Sequence, residues 1–341
     1  MHSFKLKKVF IFFVIVALAI NLLIYIGYAS DSAQGNIKKE LKLKEGEINT
    51  LICGASQAAE GINPIILNDD EEIESFNLAS NGASLSARLS ICKQYIELNP
   101  VNTVILDIGE DVLCINDEDF GHQGHHLSIQ RMTLKGAIDF FVHDLSFSDK
   151  VFVFRDLLKN GKSVIVNNLL AFLNIKKLDY ISQNYVGYGF YIGYDNLVKI
   201  DENTYKDNYQ KLIINDNIIP ENKQKLIDFI EYCDDKNIEL YIVTIPSATA
   251  YLNQYTNLDN IYNELEDICS QCHYINYNLL KNKEELFPDE TAYYDATHLS
   301  TDSSTVLTNS LADMIKKIRN KEDISNLFYS SYKEKLEQTM N

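Results

Sequence analysis

The chain has 341 residues, 46% of them hydrophobic and 23% charged, which is enough apolar material for a substantial folded core. Its formal net charge of -17 excludes a general nucleic-acid binder, because phosphate backbones require a basic face. Six cysteines are too sparse for a disulfide scaffold in a chain of this length.

Lys5, Lys7 and Lys8 precede an apolar run from Val9 to Ala29, in which Asn21 is the one strongly polar residue. About 20 such residues span a bilayer. The lysines hold residues 1–8 in the cytoplasm and send the chain from about residue 31 outward. The rival reading is a cleaved signal peptide ending at Gly27-Tyr28-Ala29, but the run exceeds the roughly 7–15 residues of a signal core. A transmembrane anchor over 9–29 is therefore expected, followed by a polar stalk over 30–45.

The body of the chain, 46–320, alternates strand and helix patterns. Strands are predicted over Glu47–Cys53, Ile73–Leu78, Val101–Ile108, Ile238–Ile245 and His273–Tyr277. Helices are predicted over Ser84–Leu98, Glu221–Lys236, Asn257–Cys272 and Asp302–Arg319, the last capped by Ser300 or Thr301. Between about 112 and 215 the rhythm breaks into helical patches, Ile129–Leu145 and Val151–Leu173, and a Tyr/Gly-rich stretch, which reads as an insertion. Cys269 and Cys272 have CxxC spacing without a second pair for zinc, and read as two helix cysteines. The charged tail, 321–341, reads as a loosely docked helix. Strand–helix alternation implies βαβ units and a parallel sheet whose sites form at the strands' C-terminal ends.

Chemistry concentrates in two places. Leu51-Ile52-Cys53-Gly54-Ala55-Ser56-Gln57 is a buried strand that breaks at glycine and presents Ser56 where a helix would start. Asp295-Ala296-Thr297-His298-Leu299 places a carboxylate and an imidazole three residues apart before the last helix. A nucleophilic hydroxyl, a base and a group to orient that base are the parts of an acyl-transfer site. Gly82 follows the second strand and offers an amide for an oxyanion.

These blocks resemble the SGNH/GDSL hydrolase superfamily. Gly54-Ala55-Ser56-Gln57 matches the first block, Asn77-Leu78-Ala79-Ser80-Asn81-Gly82 the second, and Asp295-Ala296-Thr297-His298-Leu299 the last. The resemblance implies a flavodoxin-like three-layer α/β/α sandwich with a parallel sheet. It also implies Ser56 as nucleophile, His298 as base, Asp295 as its orienting carboxylate, and the amides of Ser56 and Gly82 as oxyanion donors. The family's third block, Gly-x-Asn-Asp, falls on Gly109-Glu110-Asp111-Val112, where Asp111 stands at the asparagine position. A carboxylate there repels an oxyanion unless protonated. The aspartate of the usual first-block signature is Ala55 here.

Membrane-anchored relatives that modify cell-envelope polymers loosen the same blocks. The chain looks most like that branch, which contains the D-alanyl-lipoteichoic-acid protein and alginate-type O-acetylation proteins. The resemblance implies an extracytoplasmic esterase or O-acyltransferase, single-pass in the cell membrane. Its substrate would be a polysaccharide or acylated glycan, its partner a membrane-bound acyltransferase, and it would need no cofactor or metal. A non-catalytic accessory protein that binds glycan or such a partner is the competing expectation, and a lipid esterase a third.

Three weaker signals remain. His122, His125 and His126, beside Asp117, Glu118 and Asp119, could hold a divalent metal, although a polar loop is the favoured reading. His122 or His125 could instead line the substrate cleft, as could Asp111. Tyr185, Tyr188, Phe190, Tyr191 and Tyr194 could offer Tyr188 and its neighbours to sugar rings, although aromatics in an insertion more often pack against it.

Overall fold

The computed structural model describes residues 40–69, 73–155, 159, 185–192 and 217–339, together with Phe12, Ile15, Val16, Ala19 and Ile37. The predicted anchor at 9–29 and the helix expected to reach Leu173 lie largely outside these residues. Among the described residues no helix is long and apolar enough to cross a membrane.

The elements follow in order. Strand β1 (Thr50–Cys53) leads into α1 (Ser56–Gly61), and β2 (Ser75–Asn77) into α2 (Leu85–Ile96). Next come β3 (Thr103–Asp107), α3 (Gly121–Arg131), α4 (Leu134–His143) and the hairpin β4 (Tyr185–Gly187) and β5 (Phe190–Tyr191). Helix α5 (Pro220–Asp235), β6 (Glu239–Thr244), α6 (Leu258–Ile268), β7 (His273–Asn276), α7 (Thr301–Arg319) and α8 (Tyr332–Thr339) complete the chain.

Five strands form one parallel sheet in the order β2-β1-β3-β6-β7. Every residue of β1 and β3 is buried, as central parallel strands covered on both faces must be. Alternate side chains part to opposite faces. Leu51, Val104, Leu106, Leu240 and Ile242 join α2, α5 and α6 in one apolar layer. Ile52, Ile105, Tyr241, Val243 and Ile275 join α1 and α7 in the other. Helices thus flank the sheet on both faces, the α/β architecture expected of the alternating pattern.

The helix ends follow the cap residues. Ser84 Oγ accepts from Ala87 N at 3.3 Å to start α2, and Ser300 Oγ from Ser303 N at 3.4 Å to start α7. Asp302 stands in the first turn of α7 and Lys316, Lys317 and Arg319 in its last, both favourable to the helix dipole.

Three expectations are corrected. The run 117–126 is not a loop: a 3₁₀ turn over Asp117–Phe120 leads straight into α3. The helix expected over Ile129–Leu145 breaks at Met132–Thr133, where Thr133 Oγ1 accepts from Gly136 N at 3.0 Å and starts α4 afresh. The tail is firmly docked. Lys335 is only 4% exposed, donates to Asn278 O at 2.9 Å and pairs with Glu284 at 2.8 Å, while Tyr332 N donates to Asp259 Oδ1 at 2.6 Å.

Candidate active site

In this strand order the connections run one way from β1 to β2 and the other way from β3 onward. The switch point therefore lies between the C-terminal ends of β1 and β3, where open α/β sheets form a ligand crevice. Gly54 and Ser56 leave β1 at that crevice, and Gly109 leaves β3. A side chain at position 54 would put its Cβ 2.6 Å from Asp107 Cβ and 2.7 Å from Ala58 Cβ. Only glycine lets β1 turn into α1 this tightly.

The structure brings Ser56, His298 and Asp295 together across 242 residues of sequence separation. His298 Nε2 lies 2.6 Å from Ser56 Oγ. His298 Nδ1 lies 2.8 and 2.9 Å from the two carboxylate oxygens of Asp295. The neutral base must therefore carry its proton on Nδ1, donated to Asp295, leaving Nε2 to accept from the serine. Asp295 also accepts from Thr297 N and His298 N, both at 2.9 Å, an Asx-type turn that folds the short loop back on itself.

The electrostatics follow from these contacts. Burial disfavours charge on His298, but the hydrogen bond and charge of Asp295, with smaller contributions from Glu60 and Asp107, raise its pKa above 6.5. Burial works against Asp295 too, yet the His298 contact and the two backbone amides hold its carboxyl below the usual value. The histidine side chain is 19% exposed and the aspartate 35%, so the relay opens to solvent at the rim.

Buried polar side chains hold this geometry from beneath. Asp107, fully buried, accepts from Ala55 N at 3.3 Å through Oδ2. Arg88, 3% exposed, reaches the same oxygen at 3.5 Å and donates to Asp107 O at 2.8 Å and Ala83 O at 3.0 Å. Asn77 Nδ2 donates to Ala58 O and Ile62 O at 2.8 and 2.9 Å, locking the end of α1 onto β2. Gln57 Nε2 donates to Thr297 O at 3.2 Å and bridges α1 to the loop that carries His298. None of these was singled out from sequence. The available signal was a polar residue inside an otherwise apolar strand or helix face, such as Asn77, Arg88 and Asp107.

The loop that carries Gly82 is pinned to the turn before Ser56 by Ser80 N donating to Gly54 O at 3.1 Å. Gly82 has φ +68°, and α3 presses onto it so closely that a Cβ on Gly124 would meet Gly82 O at 2.0 Å. Asp111 follows β3 at the same rim. Burial pushes its carboxyl up, against the Arg88 guanidinium and its own amide. Beside it Glu110, 1% exposed, accepts from Tyr262 OH at 2.9 Å and from Asn278, and burial pushes it up to about 7.

His125 is 2% exposed, 4.0 Å from Asp149 and against the Phe140 ring, so it lines no cleft. The position of His122 is in α3, but its side chain lies outside the described residues. Tyr188 stands in the β4–β5 hairpin, whose second strand packs beside α1, the helix that Ser56 begins. It turns the β4–β5 hairpin with φ 51°, and its carbonyl accepts from Asn77 N at 2.8 Å, so the hairpin covers the edge of the sheet. Its ring faces Lys44 at 4.7 Å, while Tyr185 and Tyr191 face each other at 5.3 Å; these rings are walls of the hairpin. Among the described residues no group of three or more His, Cys, Asp or Glu is arranged to hold a metal ion. All six cysteines are free thiols, five of them buried, and Cys269 is hydrogen-bonded to Cys272.

No protein-family model matches the chain, and no curated protein matches it in sequence. The functional reading therefore stands on the geometry and on the sequence motifs.

Proposed function

We propose that the chain is an SGNH-type serine acyl-esterase or O-acyltransferase, acting outside the cytoplasm on a cell-envelope or exported polysaccharide. The observation that carries this reading is the continuous contact from Asp295 through His298 to Ser56 Oγ. The strand order with helices on both faces of the sheet supports it, being compatible with a flavodoxin-like sandwich.

In the proposed reaction His298 Nε2 takes the Ser56 hydroxyl proton as Oγ forms a bond to the acyl carbonyl carbon. The carbonyl electron pair becomes an oxyanion, received by the amides of Ser56 and Gly82. Ser56 N is the first amide of α1 and has no intrahelical acceptor. Collapse of the tetrahedral species expels the alkoxide, which takes the proton back from His298 and leaves an acyl-Ser56. A second hydroxyl then loses its proton to His298 and attacks the acyl carbon, and collapse of this second tetrahedral species breaks the acyl–Oγ bond and returns the proton from His298 to Ser56. Water completes hydrolysis and a sugar hydroxyl completes transfer. The acetyl group fits the resemblance best, and the apolar run at 9–29 with its preceding lysines supplies the membrane placement.

Turnover of a small aryl acetate by the full chain, beside aryl esters of longer acyl chains, tests this reading. The proposal expects the acetate to be cleaved fastest and Ser56→Ala to abolish cleavage. Preference for long chains supports a lipid esterase instead. The second reading, a non-catalytic accessory protein, draws on Asp111 at the third oxyanion position. It expects no turnover from the wild type and glycan or partner binding that survives Ser56→Ala.

A further inference from the structure

His298 is held in its plane by Ser56 and Asp295, but those two contacts leave both faces of the imidazole unspecified. The structure fills one face. The ring of Tyr294 lies nearly parallel to the imidazole, with centroids 5.4 Å apart and planes inclined by 14°, the offset stack that aromatic pairs prefer. The Tyr294 hydroxyl donates to the carboxylate of Glu60. Glu60 stands four residues after Ser56, about one helical turn along α1, so it projects from the same side of that helix. Tyr294 N also donates to His298 O at 3.1 Å, closing the loop around the base.

We propose that Tyr294 and Glu60 are positioning residues for His298, fixing the tilt of the imidazole and tying the histidine loop to the nucleophile helix. This rests on the reading of Ser56 and His298 as nucleophile and base. The stack also faces a ring that becomes a cation each time it takes the serine proton, and an aromatic face attracts a cation. Three carboxylates face His298: Asp295 from its own loop, Glu60 from α1 and Asp107 from the end of β3, the last already paired with Arg88. Glu60 is thus the carboxylate whose removal alters the field at His298 without breaking the relay or exposing the buried Arg88.

The test compares wild type, Glu60→Gln, Tyr294→Phe and Tyr294→Leu in the detergent-solubilised full chain. Two quantities are measured: the His298 titration midpoint by nitrogen-15 NMR, and the rate of Ser56 labelling by a fluorophosphonate across pH. Glu60→Gln is expected to lower the midpoint by about half a pH unit, since it removes a nearby opposite charge and keeps an acceptor for the tyrosine. Tyr294→Leu is expected to slow labelling at the pH plateau about tenfold through lost orientation, with Tyr294→Phe between it and wild type.

A purely structural role would lower the melting temperature and leave the midpoint in place. The inference is overturned if Glu60→Gln leaves the midpoint within about 0.1 unit and neither tyrosine variant slows labelling by more than about twofold. If Tyr294→Leu does not fold, Glu60→Gln and Tyr294→Phe decide the matter by the same criteria. If wild type never labels, the acyl-transfer reading falls and this inference with it, whereas a wild type that labels beside variants that match it overturns the inference alone.

Discussion

Among the described residues His298 and His125 each face an aspartate, and their surroundings differ. His298 lies 2.8 Å from Asp295, 2.6 Å from a serine hydroxyl, and 19% exposed at the rim of the sheet. His125 lies 4.0 Å from Asp149, beside Phe140, with both side chains 2% exposed. The first is open to solvent and the second is not. Pairing of residue types is therefore a weak mark of function. A base with a nucleophile on one nitrogen, an orienting carboxylate on the other and an open crevice in front is a much stronger one.

The contrast can be broken at several points. The largest effect is expected from His298→Ala, which should reduce aryl acetate turnover about 10⁴-fold or more without unfolding the chain. Asp295→Asn should cost about 10²–10⁴-fold, because the amide no longer holds the Nδ1–H tautomer. The pH dependence of kcat/KM sharpens the same point. His298 accepts the serine proton only when neutral, and its pKa lies above 6.5, so activity should fall as pH drops through a midpoint above 6.5. An acidic limb below that value would separate the titrating group from His298.

Next in size is the support beneath the crevice. Arg88→Met leaves the buried Asp107 carboxylate without its cation and should cost about 3–5 kcal/mol in chemical denaturation. The smallest effect on activity belongs to the other histidine. His125→Gln should leave kcat/KM within about twofold of wild type, whatever it costs in stability. A loss comparable to that of His298→Ala would mean that the buried pair reaches the chemistry.

Much of the scaffold was legible in the sequence because its physics is local. Mostly apolar runs at 101–108 and 238–245 gave central strands, and Ser300 with the stripe from Leu307 to Met314 gave α7. Ser56, Asp295 and His298 were legible as motifs, and only the fold could bring them within hydrogen-bond distance. Helix α3 was missed for a physical reason. It buries His125, His126, Ser128, Gln130 and Arg131, the reverse of an amphipathic pattern, and it starts without a side-chain cap. The docking of α8 was hidden likewise, because Lys335 is buried through Asn278 and Glu284 rather than through apolar area. The contacts of Asp107 with Ala55 and of Tyr294 with Glu60 join distant segments through polar atoms, which no local periodicity reports.

The central claim, an activated Ser56, is tested most directly by covalent labelling. The full chain would be treated with a serine-reactive fluorophosphonate beside Ser56→Ala and His298→Ala, and the adduct located by peptide mass. The account predicts a single adduct on Ser56 in wild type and none in either variant. A wild type that stays unlabelled and leaves a small aryl acetate intact would contradict it, and would move the protein to the accessory reading.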